Sequence, residues 1–153
     1  VTLLSALFLS SCGQSGDDAG SDKEGGSRNL MKEAEQMIDD GKGLGPVKNV
    51  TLSDNLDEQI AMQGFEIFKV KCAACHKFTN ERFIGTGLMG VTKRRKPEWI
   101  MNMIMNPIEM AQKDPAAKEL VSMYLVQMTD LNVSESESRS ILEYFRKIDS
   151  ASN

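Results

Sequence analysis

The stretch Cys72-Ala73-Ala74-Cys75-His76 decides how this sequence folds, because its three reactive side chains suit one particular chemistry. Two thiols three positions apart, with an imidazole directly after the second, have the C-x-x-C-H spacing of covalent haem attachment. On one helical turn the two thiols reach the two vinyl groups of a haem as thioethers, and the histidine presents its ring to the iron from the same side. The motif therefore predicts one covalent haem c, attached through Cys72 and Cys75 and ligated by His76.

Two other uses of paired cysteines are less well supported. A thioredoxin-like redox motif is expected near a βαβ pattern, which this sequence does not show. A zinc site would need a fourth ligand, and the chain has one histidine and no second C-x-x-C pair. Covalent haem attachment remains the leading interpretation.

An amphipathic helix is predicted immediately before the motif, over residues 56–73. Its apolar residues recur at helical spacing, and Ser53 or Asp54 is expected to cap its first turn. Ser134 and Glu137 form a capping box at the start of the last helix. Further helices are predicted near residues 30–39, 97–106, 116–127 and 134–148. These patterns predict an all-α fold whose helices pack around the haem.

The second axial position of the iron needs a ligand other than histidine, because His76 is the only one in the chain. A methionine thioether is the leading candidate. Met128 falls where helical periodicity stops before the capping box, and so in a loop. The sites to weigh are Met89, Met101, Met103, Met105, Met110, Met123 and Met128. Met101, Met103 and Met105, in one predicted helix, and Met123, in another, are expected to be core packing.

At this point the chain resembles class I cytochromes c, over roughly residues 54–149. In that family the first helix carries a glycine and, four residues later, an aromatic residue, and it crosses an aromatic-bearing C-terminal helix. Gly64, Phe68 and Tyr144 match this arrangement. The family's axial methionine lies in a loop just before the C-terminal helix. The resemblance therefore implies that Met128, 52 residues after His76, is the second axial ligand.

The family's Gly-Pro-x-Leu-x-Gly-Val turn has a counterpart in residues 85–91, GTGLMGV. In the family, the proline carbonyl accepts the proton on the outer nitrogen of the haem histidine. Here Thr86 replaces the proline, so the resemblance implies the same bond on a less rigid support. Leu88 matches the leucine of the turn. Trp99 matches a tryptophan that can donate its indole proton to a haem propionate, with core packing as the alternative.

The N-terminal residues have the features of an exported lipoprotein. Residues 1–11 are apolar and too short to span a membrane, and they are interpreted as a signal peptide that is possibly truncated. Leu9-Ser10-Ser11-Cys12 resembles a bacterial lipobox, which predicts lipidation of Cys12. Residues 12–28 have the composition of a flexible tether. Residues 29–52 form an extension before the cytochrome domain, residues 53–149.

The charge distribution favours a protein partner over nucleic acid. The chain carries a net charge of −4, yet residues 59–96 hold 8 basic and 2 acidic side chains between two acidic flanks. An acidic protein would be repelled by a polyanion, whereas a local basic region can steer an acidic partner. We expect redox partners with acidic docking surfaces, such as a terminal oxidase, a reductase or a quinol-oxidising complex, and no nucleic acid.

These features predict a one-electron carrier rather than an enzyme, held by its lipid in the cell envelope on the periplasmic side or at the outer membrane. Iron with six ligands has no free position for a substrate, which favours electron transfer. Two alternatives stay open. A labile Met128 would suit a gas sensor or a weak peroxidase, and the extension could dock the chain as a fixed haem subunit of a respiratory complex.

Overall fold

The computed structural model describes residues 40–152, and every regular element in this range is an α-helix. The helices are α1 (Glu58–Lys71), α2 (Val91–Arg94), α3 (Pro97–Met105), α4 (Pro107–Lys113), α5 (Pro115–Tyr124) and α6 (Glu135–Ala151). The all-α prediction is confirmed, and four predicted helices match α1, α3, α5 and α6 within three residues at either end.

The predictions made for residues 1–39 lie outside the described residues. They are the signal peptide 1–11, the lipidated Cys12, the tether and the helix near residues 30–39. Within the part that is described, no helix combines the length and apolar character needed to cross a membrane.

Prolines set the start of three consecutive helices. Pro97, Pro107 and Pro115 each occupy the first position of a helix, where the missing amide proton costs no helical hydrogen bond. The sequence pattern correctly predicted that α3 ends before Pro107. It did not predict α4, because the same proline that stops one helix also begins the next.

Of the N-caps predicted for the two longest helices, the one for α1 is wrong and the one for α6 is correct. Asp57 caps α1, and its carboxylate accepts a hydrogen bond of 2.9 Å from the Ile60 amide. Ser53 and Asp54 lie too early in the chain for this, because a capping side chain must be adjacent to the first turn. At α6, Ser134 and Glu137 form the predicted capping box.

The crossing of α1 and α6 is the central contact of the fold. A Cβ atom at Gly64 would overlap the Ser140 carbonyl and lie 2.9 Å from the Ile141 nitrogen, so the two helix backbones touch directly. One turn later, the Phe68 ring lies 5.6 Å from the Tyr144 ring. The helix crossing that the sequence predicted is therefore present. This crossing fixes the C-terminal end of α1, directly before the C-x-x-C-H motif.

A buried carboxylate reinforces this crossing. Glu143 on α6 is almost fully buried, and it accepts hydrogen bonds from Arg139, Arg146 and the Asp57 amide. Burial alone would raise the pKa of Glu143, but these hydrogen bonds hold it below the usual value of 4.5. The folded state therefore favours the charged form of Glu143.

Residues 41–52, here called the strap, pack against the helices although they contain no helix of their own. Val47 is buried in the core, and its amide and carbonyl both bond to the side chain of Asn102 on α3. The Val50 amide donates to Glu98, also on α3. This part of the predicted N-terminal extension is thus joined to the helical domain.

Candidate functional site

The C-x-x-C-H motif forms a hydrogen-bonded turn directly after α1. The amides of Cys75 and His76 both donate to the Cys72 carbonyl, each at 3.0 Å. Cys72 is buried, Cys75 is exposed, and neither is in a disulfide. Burial raises the pKa of the Cys72 thiol to about 11. Neither thiol is tied up in a disulfide, and both lie on the turn after α1; of the two, only Cys72 fell within the predicted helix, residues 56–73.

The ring of His76 is oriented by the backbone of residue 86. Its Nδ1 atom lies 3.0 Å from the Thr86 carbonyl oxygen, and this is the hydrogen bond that the sequence predicted. A carbonyl can only accept, so Nδ1 carries the proton. In a neutral imidazole this leaves the lone pair of Nε2 free for a metal.

Gly85 fits against the same ring, and sequence reasoning assigned it no role. A Cβ atom at this position would lie 2.6 Å from Cε1 of His76, closer than side-chain atoms approach. The Gly85 amide also donates to the Cys75 carbonyl at 2.8 Å. The sequence did contain a signal for this contact, namely a glycine at the first position of the turn motif. Outside helices and strands, a glycine often marks a place where another group approaches the backbone closely.

Met128 lies in the segment between α5 and α6, as predicted, and is partly buried. Its role as an iron ligand remains a prediction. Among the other methionines, Met101 and Met110 are fully buried in the core. Met123 was expected to be core, which is wrong: it is 51% exposed, because it lies on the outer side of the last turn of α5.

A cation bridges the two segments that carry the predicted iron ligands. The guanidinium of Arg82, six residues after His76, donates to the Tyr124 carbonyl at 2.8 Å and lies 5.1 Å from the Tyr124 ring centre. Tyr124 ends α5, four residues before Met128. This contact joins the segment that follows His76 to the segment that precedes Met128.

Exposed apolar side chains flank both ends of this bridge. Phe83 and Ile84 follow Arg82, and Leu125 and Val126 follow Tyr124; all four are 40 to 83% exposed. Large exposed apolar patches mark sites that a ligand or partner covers, and these two pairs of side chains lie on either side of the Arg82–Tyr124 contact. Together with two unpaired thiols and the Nε2 atom of His76, they fit a haem, whose faces are apolar.

Three of the four predicted supporting residues are buried, and the fourth, Thr86, is half-buried. Phe68, Leu88 and Trp99 are each less than 10% exposed. The single indole proton of Trp99 is donated to Asp114, at 3.1 Å, which is the kind of contact that the core-packing alternative expects. A bond from Trp99 to a propionate stays a prediction. Asp114 also caps α5, so Trp99 joins α3 to α5 as part of the core.

The zinc alternative finds no support in the described range. Across residues 40–152, no group of three or more histidine, cysteine or acidic side chains is arranged to hold a metal ion. Two surface clefts, of about 350 and 410 Å³, contain no residue of the C-x-x-C-H motif.

The basic residues near the motif differ in their partners. Lys69 and Lys71 form ion pairs with acidic side chains, Glu66 and Glu137 respectively. Lys77 instead lies over the Phe83 ring, with its amine 3.9 Å from the ring centre. Lys77 and Arg82 thus present positive charge beside the apolar side chains of the site.

Comparison with solved structures identifies similar proteins. A cytochrome c from Rhodothermus marinus is 47% identical, with a TM-score of 0.68, covering 70% of this chain and 91% of that one. An engineered cytochrome c from the same organism, bound to a carbene intermediate, is 46% identical over 69% of this chain and 91% of its own, with a TM-score of 0.64. A cytochrome c domain from Pseudomonas putida is 27% identical over 57% of this chain and 88% of its own, with a TM-score of 0.51. The chain matches no protein-family model and no curated protein sequence.

Proposed function

The chain belongs to the cytochrome c family, and on that premise we propose that it carries single electrons in a bacterial envelope respiratory chain, with Met128 as the second axial ligand of its haem. Family membership itself implies a covalently bound haem c and an electron carrier rather than an enzyme. When bound, the haem supplies an iron that alternates between two oxidation states. The remaining chemistry belongs to the protein.

The single observation that carries the proposal is the hydrogen bond between His76 and Thr86. It sets the protonation of the ring so that one nitrogen is held by the backbone and the other is free to bind iron. A histidine that merely filled the core would not need this polarity beside two unpaired cysteines. Cys72 and Cys75 would hold the haem by thioethers, and the apolar side chains beside Arg82 and Tyr124 would exclude water from it.

Absorption spectra of the oxidised and reduced protein test the proposal. Methionine-ligated ferric haem is low-spin and has a weak band at long wavelength. We expect the wild type to show this band and Met128→Ala to lose it. Met123→Ala is the matched control: it removes a thioether from the same region, and its exposed side chain predicts no spectral change. A high-spin wild type, or a Met128→Ala spectrum identical to wild type, would refute the axial assignment.

A second candidate function follows from the position of Met128 on a segment without helix. If the thioether leaves the iron readily, the open position would suit a gas sensor or a weak peroxidase. Carbon monoxide distinguishes the two functions. An electron carrier with a firm methionine ligand binds it slowly and weakly in the reduced state, whereas a sensor binds it rapidly at low concentration.

We further propose that residues 1–11 direct export and that a lipid on Cys12 holds the protein at a membrane. The support is the lipobox-like sequence followed by a polar tether. Mass spectrometry of the mature N-terminus tests this. The expected result is a lipid-modified Cys12, with Cys12→Ser released into the soluble periplasmic fraction. An unmodified cysteine in the mature protein would contradict it.

The proposed partners are redox proteins with acidic docking surfaces. Lys77 and Arg82 support this, because both place positive charge beside the apolar surface of the site. Electron transfer to such a partner should slow as salt rises, because ions screen the attraction between exposed charges. Lys77→Gln should weaken the salt dependence, whereas Lys113→Gln, on α4, should leave it unchanged. A rate that is independent of salt would exclude steering.

The remaining alternative is a fixed haem subunit of a respiratory complex. The strap already packs on its own domain through Val47 and Asn102, so docking would fall to residues before it. Purification in mild detergent separates the two cases: a carrier is recovered alone, and a subunit is recovered with its complex.

A further inference from the structure

Residues 85–90, here called the ligand-support loop, supply the carbonyl that orients His76. Proline at position 86 would restrict this backbone, because its ring fixes one of the two main-chain torsions. Thr86 imposes no such restriction. Some other feature of the chain must hold the carbonyl in place.

Backbone contacts fix the loop on either side of Thr86. The Gly85 amide donates to the Cys75 carbonyl at 2.8 Å, and the Leu88 amide donates to the Lys77 carbonyl at 2.9 Å. Both acceptors flank His76. These bonds align residues 85–88 with the motif, and side chains add further contacts from residue 87 to residue 90.

Two charged side chains contact the far end of the loop. The Arg94 guanidinium donates to the carbonyls of Gly87, at 3.2 Å, and Met89. Asp149, near the end of α6, accepts from the Gly90 amide at 2.7 Å, and its second oxygen accepts from Thr92. Asp149 is only 2% exposed. A buried carboxylate is tolerated when donors surround it. Here they are the Gly90 amide, at the end of the loop, and the amide and hydroxyl of Thr92, in α2.

We propose that Asp149 and Arg94 are positioning residues that take over the role of the absent proline, by holding the Thr86 carbonyl against the ring of His76. This rests on the proposed function, since it concerns the ligand of a haem. A firm acceptor on Nδ1 makes the imidazole a stronger donor to iron and stabilises the oxidised state. Loss of either side chain lets the carbonyl move and weakens this effect.

Two measurements on the purified holoprotein test the proposal: the reduction potential, and the exchange of the His76 Nδ1 proton with solvent, followed by NMR in the reduced state. For Asp149→Asn and for Arg94→Gln we expect exchange at least tenfold faster than in wild type. The equilibrium constant for reduction should rise by up to tenfold, which is about 59 mV for a one-electron couple.

Glu143→Gln is the matched control, because Glu143 is also a buried carboxylate on α6 but contacts Arg139, Arg146 and Asp57 rather than the loop. It should lower stability without changing the exchange rate or the potential. Introducing Thr86→Pro into Asp149→Asn should restore slow exchange. Arg94 is exposed, so Arg94→Gln keeps the test valid if the Asp149 variant fails to fold.

The proposal is overturned if both loop variants retain the wild-type exchange rate and potential, or if Glu143→Gln changes them equally. It is also overturned if Thr86→Pro fails to slow exchange. These results differ from failure of the proposed function, in which the wild type itself would lack the spectrum of a histidine- and methionine-ligated haem.

Discussion

Replacing Asn102 by alanine should detach the strap from the helices. Asn102 is fully buried, and its amide group makes three hydrogen bonds. Its oxygen accepts from the Val47 amide at 3.0 Å. Its nitrogen donates to the carbonyls of Val47, at 2.9 Å, and Lys42, at 3.0 Å. One side chain thus satisfies three backbone groups that lie about 55 to 60 residues earlier in the chain.

The expected cost follows from these groups. Asn102→Ala leaves the amide and carbonyl of Val47 buried without partners, at roughly 1 to 3 kcal/mol each. The Lys42 carbonyl is less buried and can turn to water. We therefore expect the free energy of unfolding to fall by about 3 kcal/mol, a large share of the roughly 5 to 15 kcal/mol of a typical domain.

Guanidinium denaturation, followed by circular dichroism, measures this change, and amide exchange at Val47 shows whether the loss is local. Asn49→Ala is the control: Asn49 lies in the same strap, but its side chain bonds only to the exposed Lys42 amine. This control should change stability by about 0.5 kcal/mol or less. If Asn102→Ala costs less than about 1 kcal/mol and the Val47 amide stays protected, the reasoning is wrong.

Three further predictions concern the helices. Gly64→Ala should lower the free energy of unfolding by about 3 kcal/mol in calorimetry, because the backbone at Ser140 cannot move away from the new methyl group; a loss below about 1 kcal/mol would contradict the close crossing. Trp99→Phe should cost about 1 to 3 kcal/mol by leaving Asp114 short of a donor, yet keep the wild-type reduction potential, whereas a changed potential would favour the propionate role. The stability contributed by Glu143 should be complete above its ordinary pKa of 4.5 and be lost as pH falls through its lower folded value, so acid titration of Glu143→Gln should show a flatter loss than wild type.

Local signals in the sequence predicted the helices and the motif because their causes are local. The capping box at Ser134 depends on residues three positions apart, and the amphipathic pattern of α1 depends on its own residues. Pro107 misled the prediction because a proline can both end one helix and begin another. Which of these occurs depends on what the following residues pack against.

Side-chain partners far apart in sequence were beyond prediction. For the indole of Trp99 the sequence suggested a propionate or core packing, and its bond to Asp114 depends on how α3 and α5 pack. Asn102 bonds to the strap, and Asp149 to the ligand-support loop, across more than 50 residues. The bond from His76 to Thr86 was predictable only because a family resemblance supplied the partner.

The acceptor for His76 is a main-chain carbonyl, and this has an evolutionary consequence. Every amino acid carries such a carbonyl, so mutation at position 86 can change residue identity without removing the bond. Selection would then act less on that residue than on whatever holds its backbone in place. Lineages that exchange proline for threonine should preserve the chemistry while their recognisable signature moves to distant positions such as Arg94 and Asp149.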